Sequence, residues 1–120
     1  MAGQPRVLIV EDEWLVAEDY SSTLRAAGYG IVGPTPSVEK ALALIADTEI
    51  RVALLDINLN RETSYPVAER LAECNIPFAF MTGYATYDLP TSLSGRVVVS
   101  KPISEAALLA TVRQLLVEAK

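Results

Sequence analysis

Carboxylates close apolar runs twice in this chain. Val7–Val10 leads into Glu11-Asp12-Glu13, and Val52-Ala53-Leu54-Leu55 leads into Asp56. Two other apolar runs end in complementary groups: Pro77–Met81 in Thr82-Gly83-Tyr84, and Val97-Val98-Val99 in Ser100-Lys101-Pro102. Clustered carboxylates suit a hard divalent cation such as Mg²⁺, which takes one or two carboxylates and fills its octahedron with carbonyl, water and phosphate oxygens. Without the ion the acids repel, and one or more should titrate above its ordinary range. With it, Asp56 becomes a nucleophile toward phosphorus, forming an aspartyl-phosphate. The ammonium group of Lys101 would then neutralise charge on the transferred phosphoryl group, and Thr82 would donate to one of its oxygens.

Each of these residues also has an ordinary structural reading. Asp56 can simply close a strand. Glu11 and Asp12 can cap a helix and complement its dipole, although one or two acids suffice for that and three adjacent ones repel. Thr82 before Gly83 can begin a turn, and Lys101 before Pro102 can be a solvated turn lysine whose peptide bond to proline is cis or trans. All of these readings would have to hold together at the ends of separate strands, which weighs against them.

The elements that position these groups follow from periodicity. Strands are expected at Arg6–Val10, Tyr29–Gly33, Val52–Asp56, Pro77–Met81 and Arg96–Ser100, each apolar along its length rather than alternating. Helical spacing runs from Trp14 to Ala27, with Val16, Tyr20, Leu24 and Ala27 inward and Gly28 as the stop. Ser37 caps a second helix carrying Val38, Ala41, Leu42 and Ile45. A third starts at Ser64 or Tyr65 with Pro66 in its first turn and buries Val67 and Leu71. Ser104 caps the last, with Leu108, Val112, Leu115 and Leu116 inward. Residues 60–64 read as a polar loop. Between Ala85 and Gly95 the signal is weak, and any helix there should be short, broken or mobile. Strands alternating with helices give an α/β, doubly wound parallel sheet covered on both faces, with right-handed crossovers. In such a sheet the strands' carboxyl ends share one edge, so Glu11, Asp12, Asp56, Thr82 and Lys101 converge. The second strand brings only Gly33 and Pro34 there.

Composition narrows the class. At 120 residues, 51% hydrophobic and 21% charged, the chain is expected to be one domain over residues 1–120 with a single core. No internal repeat, linker or effector domain is evident. A net charge of −5 argues against a nucleic-acid partner and an anionic membrane surface. Cys74 is the only cysteine, so nothing calls for an oxidising compartment. There is no histidine, which removes the usual neutral-pH acid/base and the commonest transition-metal ligand. No apolar run reaches the length of a membrane span, and no signal peptide is evident, so a cytoplasmic location is expected.

The motifs Val-Glu-Asp-Glu (10–13), Leu-Leu-Asp-Ile-Asn-Leu (54–59), Met-Thr-Gly (81–83) and Ser-Lys-Pro-Ile (100–103) together resemble a response-regulator receiver domain, CheY-like, over residues 6–118. The resemblance implies a five-stranded flavodoxin-like sheet of order 2-1-3-4-5. It makes Asp56 the phosphoacceptor and one of the metal residues, and Asp12 a direct Mg²⁺ ligand, with Glu11 holding the metal through water and the backbone carbonyl of Asn58 completing the set. Thr82 and Gly83 then lie at the phosphate, Thr82 as the switch hydroxyl, with Lys101 as the phosphate partner and Pro102 in the adjoining turn. Implied partners are a histidine kinase and a downstream protein or phosphotransfer protein. The chain would be a phosphoacceptor with autodephosphorylation rather than a conventional enzyme. A phosphate sink or relay carrier is the alternative role, and a small Mg²⁺-dependent phosphohydrolase a third. The run Phe78-Ala79-Phe80-Met81-Thr82-Gly83-Tyr84 resembles the FAT GUY subgroup, which accompanies HWE and related histidine kinases. One departure stands out. Most receivers carry an aromatic residue three positions before the lysine, and here that residue is Val98. Tyr84 is either its substitute or a loop aromatic packing over the sheet edge. The expected response to phosphorylation is an order–disorder change over residues 83–95.

Overall fold

The computed structural model describes residues 4–83 and 89–119. Apolar strands and amphipathic helices alternate along it. Strand β1 (Arg6–Val10) leads to helix α1 (Trp14–Ala26), β2 (Gly30–Thr35) to α2 (Val38–Asp47), and β3 (Val52–Asp56) to a small hairpin of β4 (Asn58–Leu59) and β5 (Glu62–Thr63). Helix α3 (Tyr65–Glu73), β6 (Phe78–Thr82), β7 (Val97–Ser100) and α4 (Glu105–Glu118) complete the chain. The main sheet has five strands in the order β2-β1-β3-β6-β7, and every pairing in it is parallel. This is the expected doubly wound order.

Side chains on a strand point alternately to opposite faces, and here both faces are dry. Leu8, Val10, Ala53, Leu55, Phe78 and Phe80 join one buried cluster with Ala41, Ile45, Val67 and Leu71 of α2 and α3. Their neighbours Val7, Ile9, Val52, Leu54, Ala79 and Met81 join the other, with Tyr20 and Leu24 of α1 and Leu108, Val112 and Leu115 of α4. Continuous apolar runs are therefore what this sheet requires.

Three local features depart from the pattern expected of the sequence. The inward face of α1 is Ala17, Tyr20, Ser21 and Leu24, so Val16 is only half-buried and Ala27 is exposed. Ser21 is accommodated because its hydroxyl donates to the Ala17 carbonyl at 2.8 Å. Strand β2 continues beyond Gly33 through Pro34 to Thr35. The register between β1 and β2 shifts there, Gly33 has φ +85, and an added Cβ would lie 2.9 Å from the Thr35 nitrogen. Proline is tolerated because β2 is an edge strand. The extension lets the Thr35 carbonyl accept the Glu11 N–H at 3.0 Å. Finally, residues 60–64 are not a plain loop. Asn58 pairs with Thr63 and Leu59 with Glu62 in an antiparallel hairpin, turned through Arg61 at φ 65.

The connection from β6 to β7 holds no full helix among the described residues, only a 3-10 turn at Thr91–Leu93. Its end is fastened down. Leu93 is fully buried, Leu89 packs against the same cluster, and the Ser92 hydroxyl donates to Glu69 of α3 at 3.2 Å. Tyr84 and its neighbours to residue 88, where part of the expected order–disorder change falls, lie outside the described residues. Val98 is half-buried and pairs with Phe80 across the ladder. Phe80 in turn meets Phe78 and Tyr65 edge-to-face, with ring centroids 5.4 and 5.9 Å away. The aromatic mass at this edge sits on β6, not β7.

Removing the anchor should be costly. Leu93→Ala is expected to lower unfolding stability by about 2–5 kcal/mol in urea titrations. Leu15→Ala, at a side chain 67% exposed, should change it by no more than about 0.5 kcal/mol.

Candidate functional site

The carboxyl edge of the sheet collects the candidate groups. β1 delivers Glu11 at 2% exposure, although it is an acid with a long apolar stem and no reason of its own to be inside. Asp12 is half-buried and Glu13 exposed. Glu13 is the residue preceding α1, and its own side chain makes no capping hydrogen bond there. The Glu13 N–H instead donates to Glu11 Oε2 at 3.2 Å, which points the Glu11 carboxylate back toward the sheet edge. β3 delivers Asp56, also buried. Glu11, Asp12 and Asp56 each present a carboxylate oxygen within 4.8 Å of the others.

Lys101 joins two of them. Its Nζ donates to Glu11 Oε1 at 2.7 Å and to Asp56 Oδ2 at 3.1 Å. Its backbone N–H donates to the carbonyl of Thr82 at 2.7 Å, so the end of β7 is fastened to the end of β6. Thr82 itself is buried, at 2% exposure. The Lys101–Pro102 peptide bond, which the sequence leaves open, is cis. Asp12, Glu13, Asp56, Asn58, Gly83 and Lys101 line a cleft of about 260 Å³. An added Cβ at Gly83 would meet nothing within 4 Å, so glycine there keeps the cleft wide rather than relieving a clash.

The electrostatics follow from burial. Desolvation pushes the Glu11 carboxyl up to about 7; the hydrogen bond from Lys101 opposes the rise and the charge of Asp56 adds to it. One acid was expected to titrate high, and it is the most buried one. For Lys101, burial alone would lower the ammonium pKa, but hydrogen bonds to Glu11 and Asp56 reverse this and hold it above its ordinary value. One ammonium among three carboxylates leaves the cleft with unneutralised negative charge. Carboxylate oxygens this close together, in a cleft that Asn58 also lines, fit a small divalent cation.

Sequence reasoning brought together Glu11, Asp12, Asp56, Thr82 and Lys101, the resemblance added Asn58 and Gly83, and the structure places all of them at one edge. It missed Tyr20, whose helical spacing reads only as core. That ring lines a second groove of about 530 Å³ beside Lys101, together with Leu15, Val16, Pro102 and Ile103. Nothing in its spacing signals proximity to the site. It also missed Glu62, whose carboxylate accepts the Val38 N–H at the start of α2, 3.1 Å away.

Comparison with known proteins places this geometry. Residues 7–113 match the model of the response regulator receiver domain. The chain is 37% identical to SdrG from Sphingomonas melonis Fr1, covering 97% of this chain and 99% of that one, with a TM-score of 0.82. A CheY-like receiver domain protein from Methanospirillum hungatei JF-1 superposes with a TM-score of 0.85 at 24% identity, covering 98% and 97% of the two chains. Among curated proteins, the sensory transduction protein LytT of Bacillus subtilis is 26% identical over 113 residues; the match takes in 91% of this chain and 47% of that protein, so this chain spans about half of the relative's length. A parallel sheet of this order, an acidic cluster at its carboxyl edge bridged by lysine, and a family match over nearly the whole chain make it a member of the response regulator receiver domain family of two-component signalling.

Proposed function

We propose that this receiver domain accepts a phosphoryl group from a histidine kinase onto Asp56, with Mg²⁺ bound by the acidic cluster, and passes the change to a protein partner through the face of residues 83–103. The observation that carries this reading is the Lys101 ammonium bridging buried Glu11 and Asp56 within a cleft that Asp12 and Asn58 also line. A cytoplasmic place of action belongs to the same reading; no helix among the described residues is long and apolar enough to cross a membrane. The Phe78–Tyr84 run favours a kinase of the HWE type.

In the step proposed, a carboxylate oxygen of Asp56 attacks phosphorus and the N–P bond of a phosphohistidine breaks, the imidazole leaving with the bonding pair and taking a proton. Asp12 and the Asn58 carbonyl would hold the cation directly and Glu11 through water, and the cation would supply positive charge against the phosphoryl oxygens. Lys101 already lies 3.1 Å from Asp56 Oδ2, close enough to meet a phosphoryl oxygen with a modest turn of its side chain. Thr82 ends the strand next to Asp56 and is joined to Lys101 through its carbonyl. A phosphoryl group adds about −1.5 to −2 charges here, drawing both residues toward Asp56.

Two outcomes test this. Incubation with radiolabelled candidate kinases and Mg²⁺ should label the wild type and leave Asp56→Asn unlabelled; label retained on Asp56→Asn would reject the assignment. Mg²⁺ affinity should also depend on pH. Glu11 titrates at about 7, and a cation prefers the ionised acid. A proton therefore competes with Mg²⁺ as pH falls through 7, and calorimetric titration should find weaker binding at pH 6 than at pH 8. Glu11→Gln should flatten that dependence.

A further inference from the structure

The hairpin that follows Asp56 is held from outside. Ile57 is buried, its N–H donates to the Met81 carbonyl at 2.9 Å, and its own carbonyl accepts the Ser64 N–H at 3.0 Å. Between these fixed points the chain makes only two cross-strand pairs, Asn58 with Thr63 and Leu59 with Glu62. A ladder this short does not hold its own shape in water. Two contacts tie it to α2. Leu59 is buried in the cluster against which Val38 packs, and Glu62 Oε2 accepts the Val38 N–H at 3.1 Å, across 24 residues of sequence. Helix α2 already has a local cap, because Ser37 Oγ accepts the Lys40 N–H at 3.3 Å. The Glu62 carboxylate is thus a second cap on a helix whose start is already served. It gains from the positive end of the helix dipole, and the segment it holds in place carries Asn58 into the cleft.

We infer that Glu62 is a positioning residue for the cation site: its bond to the start of α2 fixes the hairpin and so aims the Asn58 carbonyl into the cleft. This rests on the reading that the cleft binds Mg²⁺. Metal ligands depend on the groups that orient them, and removing such a group typically weakens binding about ten- to a hundredfold. Glu62 is exposed and Asn58 is one donor among several, so the effect belongs at the lower end.

The test compares Glu62→Ala, Glu62→Gln and Ser37→Ala by calorimetric titration with Mg²⁺ and by amide hydrogen exchange of residues 58–63 in metal-free protein. Glu62→Ala should weaken Mg²⁺ binding by roughly tenfold and speed exchange in the hairpin. Ser37→Ala removes a cap from the same helix without touching the hairpin and should leave both readouts at wild-type values. Glu62→Gln keeps a carbonyl acceptor but loses the charge, and should recover most of the affinity. Wild-type affinity in Glu62→Ala, equal losses in Glu62→Ala and Ser37→Ala, or failure of glutamine to rescue would each overturn the inference while leaving the cation site standing. A wild type that binds no Mg²⁺ would overturn the cation site and this inference together.

Discussion

The rest of the site depends on one ammonium group. Lys101 reaches two buried carboxylates from the far end of the sheet, and each of the three would be costly in that position alone. Glu11 at 2% exposure is the extreme case. An isolated charge there would protonate, and its rise to about 7 shows how far burial has already pushed it. Lys101 keeps the cluster ionisable without neutralising it. A cleft with complete ion pairing would have no remaining attraction for a cation, and one without Lys101 would lose the hydrogen bond that opposes the rise of Glu11. The observed arrangement lies between these limits.

Holding Lys101 there requires backbone, not only side chains. The Lys101 N–H bonds the Thr82 carbonyl, the Ile57 N–H bonds the Met81 carbonyl, and the Glu11 N–H bonds the Thr35 carbonyl. Each is a main-chain bond just beyond the end of a strand, linking it to its neighbour. The groups of the cleft are therefore attached to the hydrogen-bonded sheet, and their mutual distances follow from strand spacing. Two buried hydroxyls nearby, Thr35 Oγ1 and Ser64 Oγ, have no hydrogen-bond partner. They flank the acidic loop and the hairpin.

Much of this was legible in the sequence because parallel strands buried on both faces leave a distinctive trace: short, uninterrupted apolar runs ending in polar groups. Convergence of Glu11, Asp12, Asp56, Thr82 and Lys101 then followed from topology. What escaped has local causes. The Asn60-Arg61 turn lacks the glycine that usually betrays a two-residue hairpin, so β4 and β5 read as loop. Gly33-Pro34 reads as a strand terminator, yet at a sheet edge it only bulges the strand and lets Thr35 reach Glu11. On α1, Ala17 and Ser21 are small enough to sit beneath the helix, which moved the buried face by one position from where Val16 and Ala27 would put it. Glu62 reaching Val38 is a tertiary contact between two exposed segments, and no periodicity encodes it.

The double burial of the sheet has a consequence for how its strands find their alignment. When only one face of a strand is buried, slipping by one residue drives polar groups inward and is penalised at once. In β3, a slip would merely exchange Val52 and Leu54 for Ala53 and Leu55, all of them apolar and fully buried. Size offers partial discrimination, since Ala53 lies opposite Phe78 and Leu54 opposite Ala79. The stronger marks are the polar residues at the strand ends. A β3 displaced by one step would carry Asp56 away from Lys101 or drag it into the hydrocarbon between the helices. Asp56 therefore also acts as a stop that sets the sheet's alignment, and residues gathered at the cleft help to specify the fold that presents them.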